Sequence, residues 1–126
     1  MVKLQLKYGL PFCSIKLIYK GKEIILDDVL LDTGSGGTVF KMDKVEEDDI
    51  IETISGVGGS EFVYKKCVDS ISMGDLNLEN FKVEIGVMEY GFEINGILGI
   101  DFLKSVGAVI DLDKMIVKKP DDFCDR

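Results

Sequence analysis

The stretch that most constrains this chain is an apolar run that ends in small residues. Ile24-Ile25-Leu26 and then Val29-Leu30-Leu31 lead directly into Asp32-Thr33-Gly34-Ser35-Gly36-Gly37-Thr38-Val39-Phe40. Such a run reads as a strand, and the residues after it read as an immediate turn. One carboxylate, Asp32, is thereby delivered to a strand end. Thr33 and Ser35 add hydroxyls, while Gly34, Gly36 and Gly37 free the backbone and let another chain approach closely. Two readings fit this stretch: a plain strand closed by an Asp-Gly-type turn, or a reactive acid held at a strand tip.

Composition narrows the chemistry. With 126 residues the chain fits one domain with a modest core, and two catalytic lobes do not fit. The 46% apolar and 30% charged content reads as folded rather than disordered. Fifteen basic against 23 acidic residues leave a net charge of −8, which argues against a nucleic-acid partner. No apolar run reaches the roughly 18 residues of a membrane span, and residues 1–7 alternate instead of forming a signal core, so a cytoplasmic protein without membrane insertion is expected. Cys13, Cys67 and Cys124 are odd in number and widely spaced, and histidine is absent. Zinc, a disulfide framework and Ser-His or Cys-His nucleophiles are therefore not expected, and neither is any cofactor. Catalysis has to rest on carboxylates, hydroxyls, lysines or backbone.

Alternation in 2–8 and 12–19 predicts two strands around Gly9-Leu10-Pro11, and Lys20-Gly21-Lys22-Glu23 predicts a turn into the strand that ends at Asp32. Residues 41–49 read as a short helix or polar loop, and the acidic Glu46 to Asp49 as a solvated face rather than a cation site. Runs 50–54 and 62–68 flank Ser55-Gly56-Val57-Gly58-Gly59-Ser60-Glu61 and predict a glycine-tipped hairpin, either plain or covering a substrate. Strands continue through 69–73 and 76–87 around Gly74-Asp75. Ile97-Leu98-Gly99 reads as a strand stub, and Ile100, Phe102, Leu103 and Val106 as the apolar side of a short helix stopped by Gly107. A last hairpin spans 108–118. The expectation is one domain over 1–118, followed by a flexible acidic tail over 119–126.

An Asp-Thr-Gly loop after an apolar strand, a glycine-tipped hairpin, and Ile-Leu-Gly before a short helix follow in that order. This order resembles the retropepsin-like aspartic proteases, the retroviral-type single-lobe family, over about residues 10–118. The resemblance implies a mainly β fold: a closed retropepsin-like barrel or sandwich lobe with a flap hairpin and one short helix in the C-terminal half. It implies Asp32, Thr33 and Gly34 as the catalytic loop. Ser35, the flap tip Gly56, Val57, Gly58 and Gly59, and Ile97 are implied as substrate-binding residues, with Val39 also lining apolar pockets. Peptide hydrolysis by this route needs two carboxylates sharing one proton. The chain has one such loop, so the second acid implies a homodimer. Thr33 is implied to bond across the dimer axis, and Ser35 to donate to the outer carboxylate oxygen, favouring activity at mildly acidic as well as neutral pH.

The chain departs from the family where retroviral members carry an acid after Asp-Thr-Gly and an arginine after the second glycine. Those places are Gly36 and Ile100 here. The leading expectation is a homodimeric aspartic endopeptidase acting on a peptide or protein substrate. The alternatives are a dimeric peptide-binding or assembly module of the same fold that does not cut, and a monomer that pairs with a different second lobe.

Overall fold

The structure is a computed structural model that describes residues 1–41, 63–86 and 93–120. Its strands, in chain order, are β1 (Val2–Lys3), β2 (Gln5–Lys7), β3 (Leu10–Tyr19), β4 (Lys22–Leu31), β5 (Val39–Lys41), β6 (Val63–Met73), β7 (Leu76–Gly86) and β8 (Gly96–Leu98). Helix α1 (Ile100–Ser105) follows, then β9 (Val109–Asp111) and β10 (Ile116–Lys118). Tight turns set the hairpins. Tyr8-Gly9 and Lys20-Gly21 take positive φ at both residues, matching the right-handed twist of the strands they join.

One sheet runs β2-β3-β4-β8-β5-β7-β6, and β3 also pairs with β6, so β3 through β6 close into a barrel. Closure removes the free edges an open sheet would expose. Within the ring, β4 and β8 are parallel, as are β5 and β7. The second sheet, β1-β10-β9, joins the two ends of the described chain.

Burial follows the strand alternation. Cys13, Ile15, Leu17 and Tyr19 of β3 point into the main core, with Val68, Ile71 and Met73 of β6 and Val83 and Ile85 of β7. In β4 the alternation changes phase: Leu26 is buried, and so are Val29 and Leu31. A β-bulge causes this. Cys13 pairs with Val29 but Ile15 with Leu26, so Ser14 faces both Asp27 and Asp28, and Asp28 takes φ 55°. Lys7 pairs with the Asp28 carboxylate, and Ser14 Oγ donates to Asp27 Oδ1 at 2.7 Å. The extra residue turns Leu30 away from the main core and fixes the direction in which the chain reaches Asp32.

Two expectations need correction. The first strand is broken at Leu4, whose amide donates to Met115 O at 2.8 Å and whose side chain is buried in the core. The chain thereby passes from one sheet to the other. Helix α1 buries Phe102 and Leu103 as expected, but Ile100 is 40% exposed. It is the first residue of the helix, and its amide donates to Ser35 O at 2.8 Å. Gly107 ends the helix at φ +65°. No helix among the described residues is long and apolar enough to cross a membrane.

Candidate active site

The parallel pair β4–β8 builds the site. Val29, Leu30 and Leu31 lie beside Gly96, Ile97 and Leu98, and the next amide, Asp32 N, donates to Leu98 O at 3.0 Å. The chain then turns sharply, with Ser35 N donating to Asp32 O at 3.1 Å. Gly34 N donates to Asp32 Oδ1 at 3.0 Å, so the carboxylate is oriented by its own turn. Asp32 is half-buried, and its Oδ2 takes no hydrogen bond from a described residue. Thr33 and Gly34 are exposed at the loop tip.

Ser35 differs from expectation. Its hydroxyl donates to Gly37 O at 2.8 Å, and with one proton to give it does not reach the Asp32 carboxylate. The bond closes the loop on itself. Gly56, Val57, Gly58 and Gly59 lie outside the described residues, as do residues 121–126 of the expected tail.

Ile97, expected to line a substrate pocket, is 8% exposed and packed in a core cluster. It pairs across strands with both Leu30 and Val39, and it joins Phe12 and Ile94 in a second apolar cluster with half-buried Leu10, Leu30 and Val39. This cluster is separate from the main core and adjoins the Asp32 strand end. Asn95 anchors the approach to it: its amide donates to Asp28 O at 3.0 Å, and its Nδ2 to Asp27 O at 2.7 Å. On the other side of the loop, Gly36, Gly37, Lys65, Lys82, Glu84 and Asp101 help line an open groove of about 230 Å³.

Sequence reasoning missed what clamps the loop. Thr38 is the buried polar side chain among the described residues, at 0% exposure. Its Oγ1 donates to Asp101 Oδ1 at 2.7 Å and accepts from Gly99 N at 3.0 Å, while its amide donates to Asp101 Oδ2 at 3.2 Å. Its carbonyl accepts from Glu84 N at 2.8 Å. Ile100 N donates to Ser35 O at 2.8 Å. The available signal was a threonine heading the apolar Val39-Phe40, because a hydroxyl there needs a buried partner.

Asp111 Oδ1 accepts from Lys114 N at 3.0 Å, holding the turn between β9 and β10.

No protein-family profile matches the sequence, and no curated protein matches it. Solved structures do. The retroviral protease-like domain of Ddi1 from Leishmania major is similar at TM-score 0.66 and 12% identity, covering 90% of each chain. A retropepsin-like aspartic protease from Rickettsia conorii is similar at TM-score 0.65 and 16% identity, covering 93% of this chain and 87% of that one. The lobe is thus retropepsin-like in fold.

Proposed function

From a retropepsin-like lobe that carries a single Asp-Thr-Gly loop, we propose that this chain is one half of a homodimeric aspartic endopeptidase acting in the cytoplasm. A single domain over residues 1–118 supplies each half. The observation that carries the reading is the state of Asp32. Its Oδ1 is fixed by the Gly34 amide, and its Oδ2 has no partner among the described residues. A carboxylate oriented on one oxygen and open on the other is suited to share a proton or a water with a second acid.

In the dimer two Asp32 carboxylates face each other across the twofold axis and share one proton, since two adjacent anions repel. The ionised Asp32 takes a proton from a water held between them. The water oxygen then forms a bond to the scissile carbonyl carbon, while the protonated Asp32 polarises the carbonyl oxygen. Proton transfer to the amide nitrogen follows, the C–N bond breaks, and the dyad returns to one shared proton. Thr33, exposed at the loop tip, bonds across the axis and locks the two loops. Gly34 gives the peptide backbone room.

Substrate binding follows the same reading. Ile97, with Val39 and Leu30, offers an apolar wall to a peptide side chain. Residues Gly56, Val57, Gly58 and Gly59 cover an extended peptide and supply main-chain hydrogen bonds, as an added strand does. Ser35 supports the loop from within through Gly37 O.

The absence of a charged pair at Gly36 and Ile100 favours a second reading, a dimer that holds peptides without cutting. Sedimentation over a concentration range, run beside cleavage of casein with and without pepstatin, separates them. A dimer population that tracks pepstatin-sensitive cleavage is expected. A dimer that binds casein peptides and cuts none supports the second reading, and a monomer at every concentration overturns both.

A further inference from the structure

We propose that Asp101 is a positioning residue for the Asp32 loop, acting through Thr38, and that this contact within one chain sets each half-site before two chains meet. The proposal rests on the reading of Asp32 as the catalytic acid. Thr38 is where the loop that begins at Asp32 re-enters a strand, and it is fully buried. All of its polar groups are bonded: the hydroxyl to Asp101 and Gly99, the amide to Asp101, and the carbonyl to Glu84 N. Phe102 N adds a further donor to Asp101 Oδ1 at 2.8 Å.

The arrangement uses both oxygens of the Asp101 side chain as acceptors. Both oxygens of Asp101 accept and neither donates: Oδ1 takes Thr38 Oγ1 and Phe102 N, and Oδ2 takes Thr38 N. An asparagine turns one acceptor into an NH2 that faces a backbone N–H. Two donors then meet across the bond to Thr38 N, and that contact is lost.

The Asp101 carboxylate is the side chain that holds Thr38 at the loop's far end, beside the backbone bonds from Glu84 N and Gly99 N. Its start is pinned by Asp32 N on Leu98 O and its middle by Ile100 N on Ser35 O. Gly36 and Ile100, which border it, bring no polar side chain. The end at Thr38 is held by the Asp101 carboxylate, which reaches across 63 positions of sequence. Releasing it loosens the Thr38 end of the loop, and with it the direction of Asp32 toward the partner loop. Small displacements of reacting groups are costly in rate, on the order of 100-fold per ångström.

The test uses the full chain with Asp101→Asn, Thr38→Val and Thr38→Ser, and a fluorogenic peptide copied from a cleavage site mapped in casein. Asp101→Asn and Thr38→Val are expected to lower kcat about 10- to 100-fold with KM little changed. Thr38→Ser keeps the hydroxyl and is expected to stay near wild type. In parallel, hydrogen exchange is read at the Asp32 and Ile100 amides, which neither substitution touches directly. They are expected to exchange about 10-fold faster in the first two variants and normally in Thr38→Ser.

Unchanged exchange and kcat in Asp101→Asn, or a Thr38→Ser variant as impaired as Thr38→Val, overturns the proposal. If Asp101→Asn does not fold, the Thr38→Val and Thr38→Ser pair decides alone. A wild-type chain that cleaves nothing overturns the protease reading, and the exchange measurement still decides the tether.

Discussion

Gly99 passes so close to Gly37 that a Cβ built on it lies 2.5 Å from the Gly37 carbonyl oxygen and 2.8 Å from that of Ser35. The Asp32 loop and the start of α1 are thus packed backbone on backbone. Gly99→Ala has to push the two segments apart. It is expected to destabilise the fold by about 1–3 kcal/mol. Gly36→Ala, where a Cβ meets nothing within 4 Å, is expected to be nearly neutral. Urea unfolding of both variants checks the contrast, and equal losses would contradict the close approach.

Asp32→Asn tests the chemistry without removing the turn. The asparagine carbonyl can still accept from Gly34 N, which Asp32 Oδ1 does at 3.0 Å. Folding and self-association are expected to persist while casein cleavage falls to background. Sedimentation and cleavage are measured on the same sample, and residual pepstatin-sensitive cutting would sink the dyad mechanism.

Ser35→Ala separates a loop brace from a tuner of acidity. Its hydroxyl is committed to Gly37 O, so its loss is expected to cost about 1 kcal/mol of stability. The pH profile of kcat/KM is expected to stay in place. A profile displaced along the pH axis would mean that the hydroxyl reaches the carboxylate in the working dimer.

Cys13 and Cys67 should differ in reactivity. Burial pushes the Cys13 thiol up to about 12, whereas Cys67 is exposed on β6. At neutral pH iodoacetamide is expected to label Cys67 in the native protein and to reach Cys13 only after unfolding, as read by mass spectrometry. The sign for stability follows. Above the unfolded thiol pKa the unfolded chain loses a proton that the native chain keeps, so stability falls as pH rises from about 9 toward 12. Cys13→Ser is expected to flatten that fall. Denaturant midpoints across the range check it.

The strands were largely legible because local signals agree with the fold. Alternation in residues 12–19 and the turn at Lys20-Gly21 both survive in β3 and its hairpin, and the helix stop at Gly107 is where the sequence puts it. The Asp32 turn was legible for the same reason, since small residues after an apolar run have few conformations to choose from. Less legible was the break at Leu4. Its neighbours alternate smoothly, and only a partner in the last hairpin, Met115, interrupts the strand. The Ser35 hydroxyl was expected to donate to the Asp32 carboxylate and donates to Gly37 O, a choice of acceptor that sequence does not make.

The sequence by itself determined where the chain turns, which residues are apolar enough to be buried, and that one acid stands at a strand end. Those properties depend on backbone sterics and short-range periodicity. Tertiary structure alone decided which way the strand that carries that acid faces and what holds the far end of its loop. The bulge opposite Ser14 changes the parity of β4, and parity in a strand is a matter of pairing with another strand. The Thr38 hydroxyl finds Asp101 63 positions away because β5 pairs with β8 and the helix follows directly from β8. A buried polar group has to be matched, but its partner is chosen by topology, and topology is a long-range property of the whole chain.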